Sequence, residues 1–243
     1  MFSISPKMAG ENNKQYAYRV IKNAIMFLEL KPGQVVSEID LAEVLKVSRT
    51  PIREVLGKLR EENLVEVIPQ VGTNVAKINV QLIEEAAFMR YILEKEIMKK
   101  ACLELPDEAM QLLEHNIRNQ ELLIGKKENE REFHKLDNEF HYIIYRGLRK
   151  ENIWLAIKRI STHYNRIRIL SEMEHSFDDA IEQHKKIVKI LKNRQVDQIE
   201  KIVEEHIVAP MKLWENLTSP DSPYAEYFEF ESDSVPYYTI PVF

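Results

Sequence analysis

Glycine is scarce in this 243-residue chain, with six residues in all, and none falls in a phosphate-cradling run. Without a G-x-x-x-x-G-K-[ST] or G-x-G-x-x-G pattern, nucleotide binding through loop N–H groups has no support. A nucleophile elbow and a His-Glu-x-x-His pair are missing too, which removes two common hydrolase signatures. The single cysteine, Cys102 in EKEIMKKACLEL, excludes a disulfide framework and a thiolate zinc site and reads as a small buried hydrophobe. No run of 18 apolar residues occurs, and the opening MFSISPKMAGENNKQ lacks the apolar stretch of a signal peptide. The expectation is a soluble, cytoplasmic chain that does not enter a membrane.

Positive charge is also in short supply, 34 Lys+Arg against 39 Asp+Glu, a net charge of -5 that argues against a nucleic-acid partner until it is divided by segment. Residues 1–78 hold 11 basic and 9 acidic residues (net +2), residues 79–217 hold 23 and 25 (net -2), and residues 218–243 hold none and 5 (net -5). The acidity lies mostly in the tail. What decides DNA binding is then the placement of the arginines in the first segment.

What is present in quantity is helical periodicity. An apolar stripe of Tyr16, Val20, Ile21, Ala24, Ile25 and Leu28 predicts a helix from 13 to about 28, stopped at Lys31-Pro32-Gly33. Ser37 can cap a helix over 38–45, and Lys46-Val47-Ser48 turns into a third helix over about 50–63, with Pro51 in its first turn where a missing N–H costs nothing. LVEVIPQ and TNVAKI, parted by Val71-Gly72, read as a hairpin. From Val80 the pattern predicts six helices, at 80–104, 107–126, 129–147, 151–171, 177–193 and 195–217. The expected class is mainly α: a DNA-binding winged helix-turn-helix over 1–78, an all-helical bundle over 79–217, and a tail over 218–243. That tail, with four prolines and seven aromatics, is too aromatic for a solvated linker and is expected to dock on the body or on a second subunit.

Three helices and a glycine-tipped hairpin form a winged helix-turn-helix, whose third helix can enter the major groove. At its start, Arg49 and Arg53 are four residues apart and project from one face, where one guanidinium can read guanine and the other hold a phosphate. Ser48 and Thr50 add hydroxyls beside the free N–H groups of the helix start. The alternative is a surface helix whose arginines pair with Glu54 or Glu61. PGQVVSEIDLAEVLKVSRTPIREVLGKLREENLVEVIPQVGTNVA resembles the GntR family of regulators over nearly its whole length. The match runs through Pro32-Gly33, Leu41-Ala42, Val47 to Pro51, Arg53-Glu54 and the Leu59 to Val65 run. The resemblance implies DNA contacts from Ser48, Arg49, Thr50, Arg53 and the wing glycine Gly72. It also implies a homodimer on a short palindromic operator. Ile39 and Asp40, and the absence of a basic residue at the wing tip, depart from the common pattern.

In the helical half, Asp137 and His141 sit side by side at i, i+4, a spacing that suits a shared metal or a surface ion pair. His184 and His206 lie at the apolar stripes of the last two helices, where a packed core histidine is the simpler reading of each. Together the order D-x3-H, H, then H 22 residues later resembles the six-helix FCD ligand domain of the FadR-like branch of that family. The resemblance implies one divalent transition-metal ion per chain, zinc or nickel, held by Asp137, His141, His184 and His206, with a small organic-acid effector at its open positions. Arg90 matches an arginine of that pattern that would pair with the effector carboxylate, the alternative being an ion pair with Glu94. His115, His134, His163 and His175 fit no such set. Two other functions compete with this reading: a metal-dependent hydrolase, which would leave the winged helix unexplained, and a metal-free regulator with an acyl chain in its pocket, which four candidate ligands in family order disfavour.

Overall fold

In the computed structural model, which describes residues 2–230, Asn12 opens α1 (Asn13–Met26) through a reciprocal capping box with Gln15. Strand β1 (Val35–Val36) follows, and the Ser37 hydroxyl then accepts the N–H groups of Ile39 and Asp40 to cap α2 (Glu38–Leu45). Lys46, in the left-handed region at φ 54°, makes the tight turn toward α3 (Arg49–Glu61). The wing is β2 (Val65–Ile68) antiparallel to β3 (Gly72–Val75), with β1 on the outer side of β3 in register Val35↔Asn74. Gly72 holds φ 124° at the wing tip, where a side chain would be strained. Five of the six stripe residues predicted for α1 (Tyr16, Val20, Ile21, Ala24, Ile25) close over Leu41, Ile52, Val55, Leu59 and Val75 in one apolar core, whereas Leu28, expected at the helix end, lies past it at φ 58° and packs at the joint between the two halves. The two-residue β1 carries too short a pattern to be read as a strand, and so the third strand was not expected.

Strand β4 (Ile78–Asn79) leads into the 25-residue α4 (Val80–Glu104), which the Asn79 side chain caps through Leu82 N–H. Helix α4 buries one long stripe (Ile83, Ala86, Ala87, Arg90, Glu94, Ile97, Met98, Ala101, Cys102) under α6 (Glu130–Gly147), α7 (Glu151–Ile160), α8 (Thr162–Glu174) and α9 (Asp178–Lys192), while α5 (Asp107–Glu121) packs on α6 and α9. Cys102 is buried there, its thiol pushed up to about 11 by that burial, as expected of an inert small hydrophobe.

Two of the six predicted helices are broken. Residues 151–171 form α7 and α8, with the buried Ser161 ending one (its N–H donates to Ile157 C=O) and opening the other (its C=O accepts from Asn165 N–H). The last helix becomes α10 (Ile199–Val203), a π-turn over Glu204–Val208 marked by Ala209 N–H donating to Glu204 C=O, and α11 (Met211–Thr218) after Pro210. Periodicity sees neither break, since the apolar positions continue across both.

Helix α8 joins the two halves. Arg166 donates to Ala76 C=O at 2.8 Å, Asn79 N–H donates to His163 Nδ1 at 3.0 Å, and Thr162 Oγ1 donates to Glu62 C=O at 3.1 Å. Burial, reinforced by Arg166, pushes the His163 imidazole down to about 3, so it stays neutral and keeps the lone pair that accepts this bond. The tail docks at the same joint. Strand β5 (Phe228–Glu229) pairs parallel with β4, and Phe228 is buried among Leu28, Ile78, Tyr164 and Trp214, worth about 1.5–3 kcal/mol for a fully buried apolar side chain. Residues 231–243 of the predicted tail lie outside the described residues.

Candidate functional site

Two groups of residues carry the chemistry. The first is the exposed start of α3, whose buried face (Ile52, Val55, Leu56, Leu59) fixes the opposite face toward solvent. Ser48, Arg49, Thr50 and Arg53 are all exposed there, as is Gly72 on the wing. The arginines do not pair with Glu54 or Glu61. Both converge instead on Glu38 of α2, Arg53 Nη2 at 3.0 Å and Arg49 Nη2 at 3.6 Å, while Glu54 is taken by Lys14 at 2.7 Å. Arg53 first, with help from Arg49, holds the Glu38 carboxyl below its ordinary range. Phosphate could replace that carboxylate without moving either helix.

The second group is buried. Asp137 and His141 from α6, His184 from α9 and His206 from the π-turn bring one ligand atom each within 4.8 Å of one another. His141 Nε2 and His206 Nε2 are 3.2 Å apart, and Asp137 Oδ1 lies 3.5 Å from His184 Nε2 and 4.0 Å from His141 Nε2. The outer nitrogens explain this orientation. His184 Nδ1 is 2.8 Å from Gln120 Oε1, His206 Nδ1 is 2.8 Å from Gln183 Oε1, and His141 Nδ1 lies 2.8 Å from Glu94 Oε2 in a bent charge contact. An acceptor on Nδ1 fixes the tautomer that leaves the Nε2 lone pair inward, the arrangement metal-ligating histidines need. Arg168 Nη2 donates to Asp137 Oδ2 at 2.6 Å and leaves Oδ1 turned to the centre.

The electrostatics agree with a cation site. Burial pushes His184 well below its ordinary range and His206 down to about 3, with the neighbouring imidazoles adding to both shifts, so all the more readily do these rings present lone pairs. Burial opposes charge on Asp137 and Glu94, yet Arg168 beside the first and Arg90 beside the second hold both carboxyls below the usual range. His184 Nε2 is buried with no hydrogen-bond partner, an orphan that costs about 1–3 kcal/mol and that a bound cation would satisfy. Three imidazoles and a carboxylate are the donor set of a borderline divalent ion. The residues present fit one.

A cavity of about 440 Å³ opens beside the cluster, walled by Asp137, Arg168, Ser171, Gln183, His206 and Trp214. Arg90 is buried on the other side. Its Nε donates to Glu94 Oε1 at 2.8 Å, its guanidinium lies 4.8 Å from the Tyr164 ring centroid, and it borders a void of only about 10 Å³ with Asp137 and Arg168. The sequence offers Glu94 only as an ion-pair partner of Arg90, the pair that the structure shows, and it does not single out Gln120, Gln183 or Arg168. The available signal was polar residues on apolar stripes, such as Asn116 and Gln120 on the stripe of Leu113 and Ile117.

Comparison with known proteins agrees with this geometry. Residues 85–209 match the FCD domain, and residues 13–75 match the bacterial regulatory proteins of the gntR family. The chain is 27% identical over 194 residues to the HTH-type transcriptional repressor RspR of Escherichia coli K12, covering 79% of this chain and 85% of that protein. It is 23% identical over 210 residues to the gluconate operon transcriptional repressor of Bacillus licheniformis, covering 84% and 86%. Among solved structures, E. coli McbR/YncC shares the fold at a TM-score of 0.72 and 19% identity, over 86% of this chain and 100% of that one. These relatives are transcription regulators and not enzymes, which removes the hydrolase reading. The chain is a DNA-binding transcription regulator, and it belongs to the GntR family, in the FadR-like branch that carries a C-terminal FCD domain.

Proposed function

We propose that the chain binds a palindromic operator as a homodimer, with residues 1–78 reading DNA, residues 79–217 sensing a metal-bound organic acid, and the described part of the tail, residues 218–230, fastening the two. Arg49 and Arg53 are assigned to base and phosphate contacts, Ser48 and Thr50 to phosphates at the helix start, and Gly72 to close approach of the wing to the backbone. Asp137, His141, His184 and His206 would hold one zinc or nickel ion per chain, whose residual positive charge attracts a carboxylate. The reading is supported above all by the three imidazoles, whose Nε2 atoms turn inward beside Asp137 while Nδ1 of His184 and of His206 each bonds a glutamine oxygen and Nδ1 of His141 stands 2.8 Å from Glu94. The 440 Å³ cavity suits a small organic acid. Arg90 is assigned to the effector side through the void it shares with Asp137 and Arg168, its Nε remaining on Glu94. Among the described residues no helix is long and apolar enough to cross a membrane, and a protein acting on chromosomal DNA works in the cytoplasm.

The test is gel retardation of the upstream region of the chain's own gene, with metal-loaded and chelator-treated protein, across a panel of small carboxylic acids. Retardation that responds to one acid only in the metal-loaded form is the expected result. Retardation indifferent to both metal and acids would overturn the sensing assignment, and absence of retardation the operator assignment. Light scattering at micromolar concentration should give a dimer mass.

A further inference from the structure

An opening larger than the cavity beside the histidine cluster lies elsewhere in the molecule. It is a groove of about 940 Å³ at the junction of the two halves, between α1 and the end of α3 on one side and α6, α7 and α8 on the other. Its wall carries Lys22, Lys58, Arg131, Lys135, Lys158 and Arg159 against three carboxylates, Glu61, Glu62 and Glu132. Several of those cations are already engaged: Lys22 with Glu62 at 2.6 Å, Lys135 with Glu132 at 3.3 Å, Arg131 with Glu29 at 2.7 Å, and Lys58 over the Tyr18 ring at 3.7 Å. Among the described residues, Lys158 and Arg159 have no ion pair, although both stand on the last turn of α7 facing the opening. Partial burial first, and the nearby Lys22 second, push the Lys158 ammonium below its ordinary range. The floor is partly apolar, with Met26, Phe27 and Leu155, and Phe27 has the Arg131 guanidinium 4.3 Å from its ring centroid.

We propose that this groove is a second ligand site, for a small polyvalent anion carrying two or more carboxylate or phosphate groups, held between Lys158, Arg159 and Lys22. The DNA duplex is not the occupant the geometry favours. Lys58 lies nine residues along α3 from Arg49, about 13 Å of helix rise toward the domain junction and away from the exposed start of that helix. A ligand here would touch α1 and α3 of the DNA-binding half and α7 and α8 of the sensing half at once. If operator binding alters the spacing of the two halves, ligand and operator are coupled in both directions. The proposal uses none of the residues assigned to the metal or its organic acid, and it stands or falls separately from that assignment.

The experiment is calorimetric titration of the full, metal-loaded chain with two rigid trivalent probes that chelate metal weakly, benzene-1,3,5-tricarboxylate and trimetaphosphate. The expected result is saturable binding of one or both with Kd below about 1 mM, weakened about tenfold or more by Lys158→Glu and by Arg159→Glu. Both side chains are exposed, so neither change should threaten folding. Lys201→Glu, at a lysine that does not border the groove and is 82% exposed, alters net charge equally and should leave binding as in the parent. The tighter probe identifies carboxylate or phosphate as the recognised group. Absence of saturable binding by either probe would overturn the site, as would affinities that fall equally in the Lys201→Glu protein or stay unchanged in the Lys158→Glu and Arg159→Glu proteins.

Discussion

The start of α3 and the histidine cluster solve opposite problems with the same kind of residue, a charged or ionisable side chain held for a ligand. Arg49 and Arg53 are 58% and 70% exposed and share one carboxylate, Glu38, as a temporary partner. The four cluster residues are nearly inaccessible, and each is steadied by a group of its own: Glu94, Gln120, Gln183 or Arg168. An exposed site can wait in water and exchange a weak ion pair for a phosphate at little cost. A buried site must be assembled with the fold, because unsatisfied polar atoms there cost free energy whether or not a ligand is bound. The difference predicts that mutations in the cluster act on stability and metal together, while mutations on α3 act on DNA alone.

The sharpest break should come from Arg90→Ala, which strands the buried Glu94 carboxylate beside His141 and should cost about 3–5 kcal/mol in denaturant unfolding. His206→Ala should next lower metal content in purified protein from close to one ion per chain toward none. It should also remove about 3 kcal/mol of stability, the amount by which an ion at 100 times its Kd favours the folded state. Elemental analysis and melting curves with and without added Zn²⁺ read both effects. Gln120→Leu and Gln183→Leu, which spare every ligand atom, should weaken metal affinity about 10- to 100-fold in competition with a chromophoric chelator. On the other side of the comparison, Arg49→Ala and Arg53→Ala should weaken operator retardation about tenfold or more with unchanged melting temperature. The smallest effect is a gain. Glu38→Gln frees both arginines and should tighten DNA binding about two- to threefold, fading as salt is raised.

The two sites were not equally legible. Four-residue spacing and an amphipathic face placed Arg49 and Arg53 on one exposed side, since the apolar residues Ile52, Val55 and Leu59 leave no other orientation. The partner Glu38 was not visible, because it comes from another helix whose crossing angle no local pattern encodes. In the cluster, the spacing of Asp137 and His141 is local, whereas His184 and His206 enter only when α9 and the π-turn fold against α6. Resemblance supplied that set, and geometry now brings the four together. The supporting groups escaped because an amide on an apolar stripe looks like an imperfection in the stripe. Gln183 is the clearest case, adjacent in sequence to one histidine yet bonded to another 23 residues away. The strand pair β4–β5 was invisible for a different reason, since two residues on each side give no alternation to detect.

The π-turn that carries His206 has a further consequence for how this last helical stretch can vary. The buried positions Ile199, Val203, Ile207 and Met211 recur every four residues, and a regular helix of 3.6 residues per turn would rotate the last about 120° away from the first. The widened turn at Glu204–Val208 absorbs that phase error, so one stretch can offer His206 to the cluster and still present Met211, Trp214 and Leu217 to the joint beside β5. Deleting a single residue from the turn would let the winding become uniform, and with eleven residue steps from Ile199 to Met211 everything downstream would keep its direction to within about 20°. The stretch should therefore accept the loss of one residue from the turn far more readily than the gain of one, which adds about 100° of rotation.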